Sequence, residues 1–189
     1  PLLHKSGVCD GISKLAVMVF REIGIQSVMV TGTLNMYGGN QGPHAWNKVR
    51  IDGTWYNLDI TQDLGMTNGE RPIRYDYFNL SDAEISRDHR IRANPIPCRR
   101  GGMDYYTRVG LTVSTFSEYR ELLKRTFAKG EDSLVVKLPP GLDSDQVKSK
   151  LSYAAMQEYG RYRIGKVTAE YSYNPDQRVF HVKMRSSIF

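Results

Sequence analysis

The chain has 189 residues, of which 40% are hydrophobic, enough for one hydrophobic core and a smaller second one. No stretch approaches about eighteen consecutive apolar residues and no charged-then-apolar leader opens the chain, so the sequence predicts neither a membrane span nor a signal peptide. The formal net charge is +6, but basic and acidic residues are interspersed, and the densest basic stretch, CRRGGMDYY at 98–106, matches no nucleic-acid-binding module. These features argue against a nucleic-acid partner.

The first predicted helix follows a cysteine in the stretch SGVCDGISKLAVMVFREIG at 6–24. Cys9 lies between two glycines, and Gly24 is a typical helix stop signal. Cys9 is therefore expected at or just before the first turn of the helix. The apolar residues that repeat at helical spacing in this run are Ile12, Leu15, Ala16, Val19, Phe20 and Ile23.

Strand signals follow the helix. The run IQSVMVTGTL at 25–34 is β-branched and apolar, and YGGNQGP at 37–43 indicates a glycine-rich loop. The stretches HAWNKVRI at 44–51 and TWYNLDIT at 54–61 flank an Asp-Gly pair at 52–53. An Asp-Gly pair between two such runs predicts a β-hairpin with a two-residue turn.

The hairpin register predicts a contact between an imidazole and a carboxylate. If the turn has two residues, Asp59 lies opposite Trp46, and His44 is on the same face of the sheet as Trp46. His44 and Asp59 are then diagonal neighbours, with about 7 Å or less between their Cβ atoms. One extra residue in the turn would place the two side chains on opposite faces.

Cys9, His44 and Asp59 are the residue types of a thiol acyl-transfer site. A helix N-terminus and a neighbouring imidazolium stabilise a thiolate, and a carboxylate orients the imidazole. Each residue alone is more often structural: a packing cysteine, a structural strand histidine and a turn-forming aspartate. Their joint order along the chain favours the catalytic interpretation.

The sequence resembles the transglutaminase-like superfamily over about residues 5–90. That family carries a cysteine at a glycine-flanked helix start, a histidine opening a strand in an HAWN-type motif, and an aspartate closing the next strand. The matching stretches are GVCDGISKLAVMVFREIGI, HAWNKVRIDGTWYNLDIT and YDYFNLSDAEISRDH, the last similar to the tail that follows the core in many bacterial members.

The resemblance implies an α+β fold with a papain-like transglutaminase core, in which a buried helix carrying the cysteine packs on an antiparallel sheet. It also implies that Cys9 is the nucleophile, His44 the general base and acid, and Asp59 the residue that orients His44. The backbone N–H of Cys9 is the oxyanion donor that the sequence suggests. Neither a cofactor nor a metal is expected.

Trp46 and Gln62 are expected to support this triad. Trp46 shares the sheet face of His44, and Gln62 occupies a position where the family often has tryptophan in a D-P-T-W-D segment. The segment here reads DITQD, with Ile60 in place of the proline.

The C-terminal part of the chain predicts a small α+β unit with the order β-α-β-α-β-β. The expected elements are a strand in GLTVSTF at 110–116, a helix over about 117–128, a strand in DSLVVKLP at 132–139, a helix over about 144–159, and two strands flanking YNPDQR at 173–178. Thr115 and Glu118 have capping-box spacing. This unit is expected to stabilise the core or position substrate, with His181 and the thiol of Cys98 in structural roles.

We predict two domains, a catalytic core at 1–95 and the small unit at 96–189. Pro1 lies only eight residues before Cys9, so the core is expected to be truncated at its N-terminus as a piece of a longer protein.

The predicted function is cysteine-dependent acyl transfer or hydrolysis on an amide of a peptide or protein, with water or a lysine amine as acceptor. The alternative is a non-catalytic binding or scaffold module of the same fold. A mononuclear metal site built from the same cysteine, histidine and aspartate is disfavoured because it has one soft ligand and no close ligand pair. We expect a bacterial protein acting on extracellular or cell-envelope peptides.

Overall fold

The computed structural model describes residues 8–35, 41–69, 72–93, 96–142 and 145–187. The chain divides into two compact units, residues 1–108 and residues 109–189. This division does not test whether each unit folds independently. The domains predicted at 1–95 and 96–189 therefore stay a prediction. Among the described residues, no helix combines the length and the apolar character that crossing a membrane requires.

The first unit contains a four-stranded antiparallel sheet with helices around it. The strand order is β3-β2-β1-β4. Its elements in chain order are α1 (Cys9–Glu22), β1 (Ser27–Asn35), β2 (Gln41–Ile51), β3 (Thr54–Leu58), α2 (Ile60–Thr67), α3 (Asp82–Ile85), β4 (His89–Ile91) and α4 (Tyr105–Arg108).

The β2–β3 hairpin has the predicted two-residue turn. Ile51 pairs with Thr54, and Asp52 and Gly53 between them have φ angles of 48° and 78°. Positive φ at both turn residues is the type I′ geometry that Asp-Gly favours, because its twist matches that of the strands. The register prediction is confirmed.

The end of the hairpin corrects the predicted strand at 54–61. β3 ends at Leu58, and Ile60 already begins α2. Asp59 becomes the N-cap of α2, because its side chain accepts a hydrogen bond from the backbone N–H of Gln62 at 3.1 Å. The predicted loop at 37–43 is also partly wrong: residues 36–40 lie outside the described residues, and 41–43 belong to β2.

Helix α1 packs on the sheet with only part of its predicted apolar face: Ala16 is buried and Phe20 packs against the cluster around Val49. Ser13 and Ala16 are buried, whereas Val19 and Ile23 are 50% and 63% exposed, so the prediction of a buried helix is wrong. Two polar contacts dock the helix: the Ser13 hydroxyl donates to the Ala45 carbonyl at 3.1 Å, and the Asn47 side chain donates to the Ser13 carbonyl at 3.0 Å. These bonds select the face that carries Ser13.

The opposite face of the sheet is covered by the segment that follows α2. Trp46 packs there in a cluster with Val30, Tyr77, Leu80 and Ile85. The approach of β4 to β1 requires a glycine, because a Cβ at Gly32 would collide with the backbone carbonyl oxygen of Arg90. β4 brings His89 to this face of the sheet.

The second unit contains a three-stranded antiparallel sheet of order β5-β7-β6 with two helices. Its elements are α5 (Phe116–Ala128), β5 (Ser133–Lys137), α6 (Asp145–Tyr159), β6 (Lys166–Asn174) and β7 (Val179–Ser187). The Thr115–Glu118 capping box is present at the start of α5. The strand predicted at 110–116 is wrong, since within this stretch only Thr112 forms a β-bridge, with Lys137.

Candidate active site

The site centres on a buried pair formed by His44 of β2 and Asp59, the residue after β3. The His44 Nε2 atom lies 2.6 Å from Asp59 Oδ2, and the two residues are 8% and 0% exposed. The hairpin register thus produces the contact that the sequence predicted. With the carboxylate ionised, Nε2–H is the donor, which leaves Nδ1 of His44 as the nitrogen able to accept a proton.

Asp59 is held by more than His44. Its Oδ1 atom caps α2, its backbone N–H donates to the Tyr77 carbonyl at 3.1 Å, and its carbonyl accepts the first helical bond from the Asp63 N–H. Burial by itself raises the pKa of the Asp59 carboxyl, but the hydrogen bonds and charges of His44 and His89 outweigh burial and bring the pKa below its ordinary value. Asp59 is therefore an ionised, immobile carboxylate.

The two supporting positions contact the pair in different ways. The indole of Trp46 is stacked with the His44 ring at 6.2 Å between ring centroids, and its N–H donates to the Asn57 side chain at 3.1 Å. Gln62 contributes its backbone N–H to Asp59. The contact from Gln62 uses the main chain and does not depend on the side chain that replaces the family's tryptophan.

A second histidine, which the sequence did not predict, belongs to this site. His89 opens β4, is 1% exposed, and places its Nε2 atom 3.0 Å from the same Asp59 Oδ2 atom that His44 contacts. Its Nδ1 atom lies 2.6 Å from Asp88 Oδ1. The available signal was its place at the end of the matching tail stretch YDYFNLSDAEISRDH, in a chain with only 4 histidines.

The contacts of His89 indicate an imidazolium. Both ring nitrogens face carboxylate oxygens, and both can donate a hydrogen bond only when the ring is protonated. Burial alone lowers the pKa of His89, but the hydrogen bonds and charges of Asp59 and Asp88 raise the pKa to about 9. His89 is then positively charged at neutral pH.

Cys9 begins α1 and is partly exposed. α1 runs in the direction of β2: Ser13 contacts Ala45, and Phe20, near the helix end, packs in a cluster with Val49. Cys9 is one helical turn before Ser13, about 6 Å along the axis, so it lies toward the end of β2 that carries His44. Among the described residues, no hydrogen bond joins the Cys9 thiol to the His44 ring, whereas His44 and Asp59 are in direct contact.

The other cysteine has a different environment. Cys98 is 1% exposed and free, and burial is the main cause that raises the pKa of its thiol to about 11. Its backbone N–H donates to Asp82, which also accepts a hydrogen bond from the buried ammonium of Lys48 at 2.9 Å. Cys98 is protonated at neutral pH, which suits a packing role.

His44, Asp59 and His89 are also close enough together to be considered as metal ligands, because one donor atom of each lies within 4.8 Å of the others. The separation of 2.6 Å between His44 Nε2 and Asp59 Oδ2 suits a hydrogen bond, whereas two ligands of one tetrahedral ion stand about 3.3 Å apart. His89 also directs both nitrogens at carboxylates. The geometry favours a charged, hydrogen-bonded cluster over a set of ligands.

Part of the chain is similar to a known protein family and to one curated protein. Residues 2–60 match the model of the transglutaminase-like superfamily, and this range contains Cys9, His44 and Asp59. Kyphoscoliosis peptidase of Mus musculus is 31% identical over 93 residues, which cover 43% of this chain and 14% of the relative. The chain thus spans a small part of that relative's length. The mixed α/β architecture with an antiparallel sheet is compatible with this family, and the family match over residues 2–60 confirms the resemblance for the stretches around Cys9, His44 and Asp59.

Proposed function

We propose that the chain is a thiol acyltransferase or cysteine peptidase of the transglutaminase-like type, acting on an amide of a peptide or protein through Cys9, His44 and Asp59. The observation that carries the proposal is the buried pair in which His44 Nε2 lies 2.6 Å from Asp59 Oδ2, at the end of the sheet toward which Cys9 lies. The family match over residues 2–60 supports the same assignment.

The proposed reaction proceeds in two halves. The Cys9 thiolate attacks the amide carbonyl, and the backbone N–H of Cys9 donates to the oxyanion of the tetrahedral intermediate. His44, protonated by the thiol, transfers this proton to the leaving amine as the C–N bond breaks, and a thioester on Cys9 remains. Water or a lysine amine then attacks the thioester, gives its proton to His44, and releases the thiol.

Asp59 has a defined part in this scheme. Its Oδ2 atom accepts the Nε2–H of His44, so Nδ1 carries the proton between thiol and substrate. The negative charge of Asp59 also stabilises the imidazolium that forms with the thiolate. Because Asp59 is fixed as the N-cap of α2, the His44 ring has a defined orientation before substrate binds.

The choice between hydrolysis and cross-linking is part of the proposal. The relative in mouse is called a peptidase, which supports water as the acceptor. The chain covers only 14% of that protein, so substrate and acceptor need their own measurement.

A non-catalytic binding or scaffold module is the second candidate. One observation favours it. Among the described residues, His44 and Asp59 are hydrogen-bonded to each other, but the Cys9 thiol has no hydrogen bond to His44. In this case the His44–Asp59 pair would be structural.

One experiment separates the candidates. A peptide library is incubated with the protein, and release of amine is compared with incorporation of a labelled primary amine. We expect turnover by the parent and by Cys98→Ala, and none by Cys9→Ala, with Cys98→Ala as the matched control for removing a thiol. Full activity of Cys9→Ala would refute the mechanism, and absence of both reactions in the parent would support the scaffold module.

A further inference from the structure

A continuous line of buried polar groups runs from His44 on β2 to Asp88, the residue directly before β4, and to Tyr77. The Asp59 Oδ2 atom is shared by His44 at 2.6 Å and His89 at 3.0 Å, and Asp88 Oδ1 contacts the other nitrogen of His89 at 2.6 Å. The Tyr77 hydroxyl donates to Asp88 Oδ2 at 2.5 Å and closes the line. All five residues are less than 10% exposed.

The order of charges along this line is the important feature. Two carboxylates, Asp59 and Asp88, are separated by the doubly donating ring of His89. Two anions buried close together disfavour each other's ionised form, and a cation between them removes that penalty. The ring of His89 is thus suited to keep both carboxylates ionised.

We propose that His89 is a positioning residue that acts on His44 through Asp59: it holds Asp59 Oδ2 in place and offsets part of its negative charge. The proposal deepens the proposed function, because it assigns a control of the protonation of the catalytic base. It predicts that Asp59 stabilises a protonated His44 less strongly than an isolated carboxylate would.

One further buried acid, Asp63 on α2, interacts with Asp59, and burial is the main cause that raises its pKa well above the ordinary value. Asp59 follows β3, Asp88 directly precedes β4, and the His44 ring on β2 lies 5.4 Å away between centroids. Tyr77 contacts the ring at 5.5 Å between centroids and Trp46 at 4.9 Å, and the Tyr77 hydroxyl donates to Asp88. The tight approach of β4 at Gly32 places His89 at this position.

Removal of the positive charge should make His44 easier to protonate. In His89→Gln the cation between Asp59 and Asp88 is lost, so a protonated His44 becomes the cation that can offset the charge of Asp59 and keep this carboxylate ionised. A unit charge at the observed 5.4 Å between the two rings, at an effective dielectric constant near 20, corresponds to about two pH units. Relaxation, water entry and protonation of one of the two carboxylates reduce this value, so we expect an upward but smaller shift in the titration of His44.

The test is an NMR titration of the histidine ring C–H signals in the intact chain, assigned with single variants. We expect the His89 signals of the parent to titrate near pH 9 and those of His44 to move to higher pH in His89→Gln. The double variant Asp88→Asn/His89→Gln should move back toward the parent, because one of the two uncompensated anions is gone. His181→Gln, a histidine of the second unit, is the matched control and should leave His44 unchanged.

Activity gives an independent readout. The alkaline limb of the pH profile of kcat/KM should move upward in His89→Gln together with the NMR shift, which a merely structural role would not cause. A shift in NMR with no turnover by the parent would uphold the role of His89 and refute the proposed function. Turnover that depends on Cys9, with an unchanged pH profile in His89→Gln, would support the proposed function and refute the role of His89.

If His89→Gln does not fold, the titration of His89 in the parent still tests the proposal. A His89 signal that titrates near pH 6.5, the ordinary value for histidine, would overturn the proposal without any variant. Where the variant folds, an unchanged or downward titration of His44 would overturn it as well.

Discussion

The raised pKa of His89 predicts that the stability of the first unit falls at alkaline pH. The folded pKa is about 9 and the ordinary value is 6.5, so the protonated ring stabilises the folded state. Since the folded pKa is the higher one, this contribution is fully present below pH 6.5 and is lost as the pH rises through about 9.

The magnitude follows from the size of the shift. A difference of about 2.5 pH units corresponds to about 3 kcal/mol of unfolding free energy, and nearly all of it disappears between about pH 6 and pH 9.5. The ring is 1% exposed, so solvent screening does not reduce this value greatly. His89→Gln removes the titrating group and should be less stable than the parent at pH 6.

The assay is urea unfolding followed by tryptophan fluorescence. The chain has 2 tryptophans, Trp46 and Trp55, and both lie in the unit of residues 1–108, so the signal reports on that unit. The loss of stability between pH 6 and pH 9.5 should be larger in the parent than in His89→Gln, by up to about 3 kcal/mol, because the upward shift of His44 in the variant offsets part of the difference. His181→Gln should behave as the parent does.

The comparison of pH differences removes effects common to both proteins. The Cys98 thiol, whose pKa is about 11, contributes equally to the parent and the variant and cancels. An equal loss of stability in the parent and His89→Gln would refute the charged state of His89. A gain of stability with rising pH in the parent would refute the sign of the argument.

Three further predictions concern the chemistry of the site. Iodoacetamide at about pH 6 should label Cys9 at least about tenfold faster in the parent than in His44→Ala, whereas the buried Cys98, whose pKa is about 11, should label slowly in both proteins; mass spectrometry of the labelled peptides measures both rates. Asp59→Asn keeps a good N-cap for α2 but loses the charge, so turnover should fall by about 10²- to 10⁴-fold. Asp59→Ala also loses the cap, which should lower the unfolding free energy by about 1 kcal/mol. Equal turnover of Asp59→Asn and the parent would contradict the role of the carboxylate. His181→Ala should fold and leave turnover unchanged, and an inactive but folded variant would place the second unit in the chemistry.

Local sequence signals determined the parts of the site that lie close together in the chain. The Asp-Gly pair at 52–53 specifies a two-residue turn, and strand alternation then determines that His44 and Asp59 share a face. The helix start at Cys9 and the capping box at Thr115 follow from equally local patterns. These predictions needed no knowledge of the rest of the fold.

Helical periodicity identified the buried face of α1 only in part. The apolar repeat correctly included Ala16 and Phe20, but it also included Val19 and Ile23, which are half exposed or more. Ser13 is buried because its hydroxyl and carbonyl bond to β2, and a hydroxyl in a helix carries no hydrophobic signal. The choice of face therefore depends on the partner strand.

A local cap and long-range strand pairing decided the rest of the site. Asp59 leaves the strand because its side chain caps α2, a local competition that the strand pattern of 54–61 conceals. His89 reaches Asp59 only because β4 pairs with β1 across Gly32, between segments far apart in sequence. Periodicity within one segment carries no information about such a partner, so the sequence by itself determined a His44–Asp59 pair, and long-range strand pairing turned it into a charged network.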